Sequence, residues 1–400
     1  MEQPSLPVHQ NKLWSIDFVL TLLSTHFLFV SYGSLITILP LYVLELSGHE
    51  WHIGIVVGSF GIVALGVRPF AGRWVYILGA KRIALIGFII FGTASILHIY
   101  AQTFWWLLAV RALQGTGMAM APVATATMVA NLAPSVRRAE GMAYEGNATA
   151  GSSIYAPLVA FWILTQYGFV ASFLFSASAS LVAFILALRI SSAKTNLHHN
   201  TIDNYKISLI NRKALFPTTI FLGYTVTWGA IGTFLPLLAE ERQLGNPGLY
   251  FTVAASTIIL TMFVAGLVAD RVGRAAVIIP GLLATALGMF TLAYSTNQFM
   301  FLVSSFTWGI GFGLLSPGLR SLTVDRVIPR ERSSAIATLQ QGWDVGGSGG
   351  AFILAPTTGI FNVATPFIIA GIITVTSTVG FFIGNKKYPS TLPKNEISPK

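Results

Sequence analysis

Cysteine is absent from the chain, which excludes a disulfide framework and any thiolate metal site. Charge is scarce too: Asp, Glu, Lys and Arg make up 10% of the 400 residues, against about 25% in an ordinary soluble domain. A water-soluble fold of this length would need far more charge to cover its surface. No G-x-x-x-x-G-K-[S/T] phosphate loop occurs, so direct drive by ATP is not expected, and no H-E-x-x-H zinc motif is present. An enzyme, a metal centre and a bound cofactor are therefore not expected. A cleavable leader is not expected either, because the polar stretch Met1 to Lys12 runs into an apolar segment reaching about Leu44 without an A-x-A site.

What the chain does have is hydrophobic length, with 54% of its residues apolar. Stretches of about 20 apolar residues, enough to cross a bilayer as helix, fall near 14–44, 53–74, 82–101, 104–131, 139–164 and 169–190, and again near 214–238, 248–269, 275–295, 298–324, 333–359 and 365–385. The expected fold is an all-α integral membrane protein with twelve transmembrane helices in two six-helix bundles. The expected organisation is a first bundle over 1–190, a polar linker over 191–213, a second bundle over 214–385 and a tail over 386–400. His198 and His199 lie in the linker with no third ligand at a metal-binding spacing, and read as solvated.

The net charge of +10 does not point to nucleic acid, because the basic residues are distributed by loop rather than gathered in a patch. Arg68, Arg73, Lys81 and Arg82, then Arg137 and Arg138, Arg271 and Arg274, and finally Arg326, Arg330 and Arg332 occupy every second loop. By the positive-inside rule these loops and both termini belong in the cytoplasm, so the expected location is the inner membrane, with anionic lipid headgroups as secondary partners.

The halves repeat each other. Ser31-Tyr-Gly-Ser-Leu-Ile-Thr-Ile-Leu-Pro40 aligns with Thr227-Trp-Gly-Ala-Ile-Gly-Thr-Phe-Leu-Pro236 at an offset of 196, Phe70-Ala-Gly-Arg-Trp-Val-Tyr-Ile-Leu-Gly79 with Val264-Ala-Gly-Leu-Val-Ala-Asp-Arg-Val-Gly273 at 194, and Ala121-Pro122 with Ser316-Pro317 at 195. Six spans per unit put both copies in the same orientation, with a pseudo-twofold axis along the membrane normal and a cavity between them.

These residues resemble the major facilitator superfamily over nearly the whole chain. Gly266-Leu-Val-Ala-Asp-Arg-Val-Gly-Arg274 is similar to that family's G-x-L-x-D-R-x-G-R loop motif; the first copy keeps Gly72, Arg73, Gly79 and Lys81-Arg82 but has Tyr76 where the family has Asp. The resemblance gives Gly72, Arg73, Gly79, Gly266, Asp270, Arg271, Gly273 and Arg274 a part in conformational change. Arg111-Ala-Leu-Gln-Gly-Thr-Gly117 is similar to the R-x-x-Q-G-x-G motif of the exporters, in which the arginine is implicated in proton relay. Gly146, Gly151 and Ala156-Pro157 resemble the antiporter motif, with Ala156 in place of a glycine. The pattern looks most like the bacterial drug, sugar and siderophore exporters, which implies a monomer that exchanges a small molecule for protons.

Ionisable groups inside a span are costly and so point to function. Glu145 and Asp344 are the acids well inside apolar spans, about 10 Å past Arg138 and about 18 Å past Arg332 at helical rise. Gln341, Asp344 and Ser348, like Glu145, Thr149 and Ser152, recur at helical spacing as polar stripes. Asp344 and Glu145 are the expected proton carriers, with Arg111 and His26 as further relay candidates; a fixed structural partner for each acid is the competing reading. Arg320 lies near enough to its span's end to reach the interface. By the resemblance, Tyr32, Gln114, Tyr224, Trp228, Trp308, Gln341 and Trp343 are candidates to line the cavity, an aromatic lining suited to amphipathic solutes. Gly342, Gly346, Gly347, Gly349 and Gly350 offer a small-residue surface for close helix packing. The expected function is a proton-coupled exporter of a small amphipathic solute such as a drug, sugar-like metabolite or siderophore. The rivals are a symporter or facilitator importing a nutrient, and a sensor or scaffold that binds without transporting.

Overall fold

In the computed structural model of the chain, residues 13–47, 50–191, 208–245 and 247–387 are described, and they form helices with no strand among them. The first half contains α1 (Ile16–Ser47), α2 (Glu50–Leu78), α3 (Ala80–Leu97), α4 (Phe104–Leu132) and a continuous helical rod, Arg138–Leu188, that breaks at Gly168. Gly168 has φ 78°, a conformation open to glycine at no steric cost, and it divides the rod into α5 (138–167) and α6 (169–188). The second half contains α7 (Leu215–Glu241), α8 (Pro247–Arg271), α9 (Ala275–Ala293), α10 (Gln298–Asp325), the composite α11 and α12 (Thr365–Lys387). Helix α11 runs over Arg332–Trp343, passes through a π-helical stretch at Asp344–Gly349 and resumes over Gly350–Ile360.

Nine helical stretches among the described residues are long and apolar enough to cross a membrane. One of them, Ser135–Leu188, holds both α5 and α6; with α4 and α11, the helices number twelve. The linker histidines His198 and His199 lie outside the described residues.

Each half has its own core. Phe18, Phe88, Phe91 and Phe173 anchor the first, and Tyr224, Tyr250, Phe301 and Trp308 the second. Among the described residues the cores meet at one end: Val324, Ile336 and Ala337 of the second half join the first core, and Ala139 of the first joins the second. That end carries Arg137, Arg138, Arg271, Arg274 and Arg332, and is called the basic face below. Helix contact there depends on missing side chains. A Cβ on Gly72 would lie 2.8 Å from Ala337 Cβ and 2.9 Å from the Ser333 carbonyl oxygen, and one on Gly266 would lie 2.8 Å from Glu140 Cα. Such small-residue crossings let backbones approach where lipid gives no hydrophobic drive to association. Every hydrogen bond and ion pair that crosses between the halves, among the described residues, lies between this face and the level of Asp344. The molecule is therefore closed on the basic face.

Candidate functional site

Both buried acids meet an arginine from the opposite half. Asp344 on α11 receives two bonds from Arg68 on α2, one through Nε and one of 3.0 Å from Nη2, and Arg68 also donates to Gln340 Oε1. Glu145 on α5 accepts from Arg320 Nη1 on α10. Asp344 is 8% exposed and Glu145 2%, so both carboxylates are shielded from water. A buried pair of this kind adds little net stability while intact, but losing one partner strands a charge and costs about 3–5 kcal/mol. Removing the charge on either acid would therefore weaken the closure of the basic face.

Neither arginine has the position expected of it. Arg68 was assigned to a basic loop, yet it lies ten residues before the end of α2, about 15 Å inside the helix. Arg320 does not reach out to the interface; the Glu145 carboxylate holds it inward. The spacing of both residues from the nearest loop was visible in the sequence, but their partners were not, because pairing across the halves depends on how the bundles meet.

Nearer the surface a second set of bonds closes the basic face. Asp270 at the end of α8 accepts from the backbone amides of Ala139 (3.1 Å) and Glu140 (2.9 Å) in the first turn of α5. These amides have no helical acceptor, and the helix N-terminus favours an anion. Arg274 donates to Asp270 (2.5 Å) and to Asp325 (2.9 Å), and Asp325 also accepts from Arg138 (2.5 Å) across the halves. Burial works against the Arg274 charge, but Asp325 and Asp270 outweigh it and hold the guanidinium above its ordinary pKa. Gly273, at φ 114°, turns the chain so that Arg274 points back to this cluster. Arg73 is exposed, while Gly79, at φ 90°, makes the matching turn in the first half.

Near the surface, the matching crossing of α2, α4 and α11 has a neutral acceptor. Tyr76 stands at the place of Asp270, and Arg332 donates to Asn131 Oδ1 (2.8 Å) and the Ala130 carbonyl (3.3 Å) instead of to a carboxylate.

An aromatic wall lies beside Asp344. Trp228 and Trp343 are 5.9 Å apart between ring centroids, and Trp308 stacks on Trp228 at 5.9 Å and 27°. Trp228 is 38% exposed and Trp343 half-buried. Tyr224 and Trp308 are fully buried behind them with Phe312, and Trp308 Nε1 donates to Thr227 Oγ1 at 2.9 Å. These two support the wall rather than form its surface. Gln341 is half-buried next to it.

In the first half, Tyr32 stacks on Phe60 at 5.5 Å and 21°, and the Arg111 guanidinium carbon lies 4.5 Å from the same ring centroid. Gln114 does not face the wall: its Oε1 accepts from Arg111 and its Nε2 donates to Ser95 at 3.4 Å. His26 Nδ1 bonds the Ala148 carbonyl and Nε2 the Tyr155 hydroxyl, each at 2.7 Å. A carbonyl can only accept, so His26 carries its proton on Nδ1.

The polar stripes differ from their helical reading. Thr149 donates to the Glu145 backbone carbonyl and Ser152 to that of Thr149, so neither hydroxyl reaches the carboxylate. On α11 the π-helical stretch Asp344–Gly349 changes the register after Asp344, and the Ser348 side chain is outside the described ones. The glycines pack as expected at three points: a Cβ on Gly342 would lie 3.1 Å from the Thr218 carbonyl oxygen, one on Gly346 2.8 Å from that of Leu222, and one on Gly350 3.3 Å from Val226 Cα.

Comparison with known proteins agrees with this architecture. The family model described as "Major Facilitator Superfamily" matches residues 21–257 and 218–399. The staphylopine export protein of Staphylococcus aureus strain Mu50 is 20% identical over 395 residues, covering 95% of this chain and 97% of its own. A multi-drug resistance efflux pump PmrA homolog of Lactococcus lactis subsp. lactis strain IL1403 is 22% identical over 402 residues, covering 94% and 96%. Among solved structures, the transporter FucP in its outward conformation superposes with a TM-score of 0.75 at 13% identity, over 93% of this chain and 99% of that one.

Proposed function

The chain belongs to the Major Facilitator Superfamily, and from that premise we propose that this multi-pass membrane transporter is a proton-coupled exporter of a small amphipathic solute working by alternating access. The observation that carries the reading is that two buried acids, Asp344 and Glu145, each hold the halves together through an arginine of the other half. With the basic loops in the cytoplasm, the closed basic face makes this conformer outward-facing, and both termini are cytoplasmic. A proton arriving from outside neutralises an acid and leaves its arginine buried without a counter-ion. Parting of the halves on the cytoplasmic side then restores water to that arginine. There the acid loses its proton and the cavity takes up solute. The pairs reform only with both acids charged, so the return to the outward state carries solute and no proton.

The sequence relatives named as exporters support the direction. Trp228 and Trp343, with Tyr32 across the cleft and Gln341 beside them, are the proposed contacts of the solute body. His26, tied at both ring nitrogens, and Arg111, which has no acid beside it, are left out of the proton path.

The test is exchange driven by a pH gradient in proteoliposomes. Asp344→Asn and Glu145→Gln are each expected to reduce it at least tenfold while the purified variants still bind the solute. Full gradient-driven exchange in both variants would remove the acids from the mechanism, and net uptake of solute together with protons would reverse the direction in favour of import.

A further inference from the structure

Inside the bundles three guanidinium groups face two carboxylates, and one is left over. Arg68 takes Asp344 and Arg320 takes Glu145. Arg111 is 5% exposed and has neutral partners: Gln114 Oε1 at Nη1 and the Phe60 ring, with Nε buried and bonded to nothing. A buried arginine normally pairs with an anion, since an amide and an aromatic face recover only part of the lost hydration.

The position of Arg111 is that of a receptor. It lies seven residues into α4 from Phe104, about 10 Å from the face opposite the basic loops, where no bond joins the halves among the described residues. Phe60, against which it packs, shares with Arg68 and Gly72 a stripe of α2 at four-residue spacing, and Arg68 and Gly72 both touch the other half. Tyr32, stacked on Phe60, belongs to the same wall. Gly115 lets α4 approach this closely, because a Cβ there would lie 2.5 Å from the Phe60 carbonyl oxygen. Arg111 thus lies beside the α2 stripe that meets the other half, on the side away from the basic loops.

We propose that Arg111 receives the anionic group of the transported solute, which is an amphipathic organic anion with a carboxylate, sulfonate or phosphate at one end and an apolar body lying against Trp228 and Trp343. This rests on the exporter reading and names its substrate class. With both acids ionised, three guanidiniums, two carboxylates and one solute anion sum to zero, so the loaded bundle crosses between states without net charge in its interior. A cationic solute would instead meet a site that is already positive. An inside-negative membrane potential also favours expelling an anion, in keeping with export.

Binding of two dansyl probes to the purified full-length protein in nanodiscs tests the proposal, read as energy transfer from tryptophan at constant pH. Dansylglycine carries a carboxylate; dansylglycinamide has the same body without the charge. The wild-type protein is expected to bind dansylglycine at least tenfold tighter than the amide. Arg111→Gln should erase that ratio while still binding the amide saturably, which also shows that the variant is folded, and Arg111→Lys should retain most of it. Equal binding of the two probes by the wild type, no saturable binding of dansylglycine, or a carboxylate preference that survives in Arg111→Gln overturns the proposal. Since binding is read without a proton gradient, failure here leaves the exchange test of Asp344 and Glu145 intact, and failure there leaves this one intact.

Discussion

Met262 holds in the second half the place that Arg68 holds in the first, at the offset of 194 that relates the two loop motifs, and it packs on the position of Gly146 with its Sδ 3.0 Å from where a Cβ would be. The two crossings that close the basic face therefore differ at this position. Where α2 meets α11, charge lies deep, in Arg68 and Asp344, and the surface contact through Asn131 is neutral. Where α5 meets α8 and α10, the Met262 contact on Gly146 is apolar, the deep pair is Glu145–Arg320, and a further set of charges lies at the surface, in Asp270, Arg274, Asp325 and Arg138. A deep pair responds to protonation through the cleft; a surface cluster responds to salt and to the lipid headgroups around it.

The deep pair should show strong coupling in a double-mutant cycle. Asp344→Asn alone strands Arg68 and is expected to cost the closed state about 3–5 kcal/mol. Arg68→Gln alone strands the carboxylate at a similar cost, and the double variant should recover more than half of either loss. The absence of native cysteine supplies the readout: a single cysteine at Ser333, which is buried in the closed face, reports opening through its maleimide labelling rate. Additive effects of the two substitutions would mean that the residues are not energetically paired.

Removing the acceptor at the surface crossing should act more weakly. Asp270→Asn takes away the ionised acceptor shared by Ala139 N, Glu140 N and Arg274, worth roughly 1.5–3 kcal/mol for a charged hydrogen-bond partner. Labelling at Ser333→Cys is expected to rise by about an order of magnitude, and raising the salt concentration should narrow the gap between variant and parent. A gap independent of salt would contradict the surface character of this cluster.

The glycine at the same crossing sets how closely the helices approach. At Gly266 a Cβ would lie 2.8 Å from Glu140 Cα and 2.9 Å from Ala143 Cβ, and backbone cannot move aside cheaply. Gly266→Val is expected to hold the basic face open, with fast labelling at Ser333→Cys and transport reduced at least tenfold, while the amount of folded protein stays near that of the parent. Slow labelling would show that α8 can shift to accommodate the side chain.

The twelve spans, the duplication and the two buried acids were legible because each is a local property: a run of apolar residues, a repeated string, a carboxylate far from any loop. Arg68 and Arg320 were not recognised, since their importance comes from contacts 276 and 175 residues away in sequence. The π-helical stretch at Asp344–Gly349 also escaped, because a glycine-rich string reads as flexible packing and carries no signal for an extra residue in a turn. The role of Tyr224 and Trp308 shows the same limit: helical spacing groups aromatic residues on a face without saying which of them lies in front.

Asn131 offers a gain-of-function test of the asymmetry. Arg332 donates to its side-chain oxygen at 2.8 Å, at the end of α4 that corresponds to the Asp325 end of α10. An aspartate is nearly the same size, so Asn131→Asp turns a neutral acceptor into a charged one without repacking, and a charge-assisted bond is roughly twice as strong. The neutral crossing would then resemble its charged counterpart, and the closed state should gain about 1 kcal/mol. Labelling at Ser333→Cys is expected to slow about fivefold at low salt, and turnover should fall with it, since each transport cycle must break one more ion pair. If the neutral crossing were merely a tolerated loss, turnover would hold constant as labelling slowed; a parallel decline would mean that this half of the gate is left uncharged so that the cytoplasmic side can open.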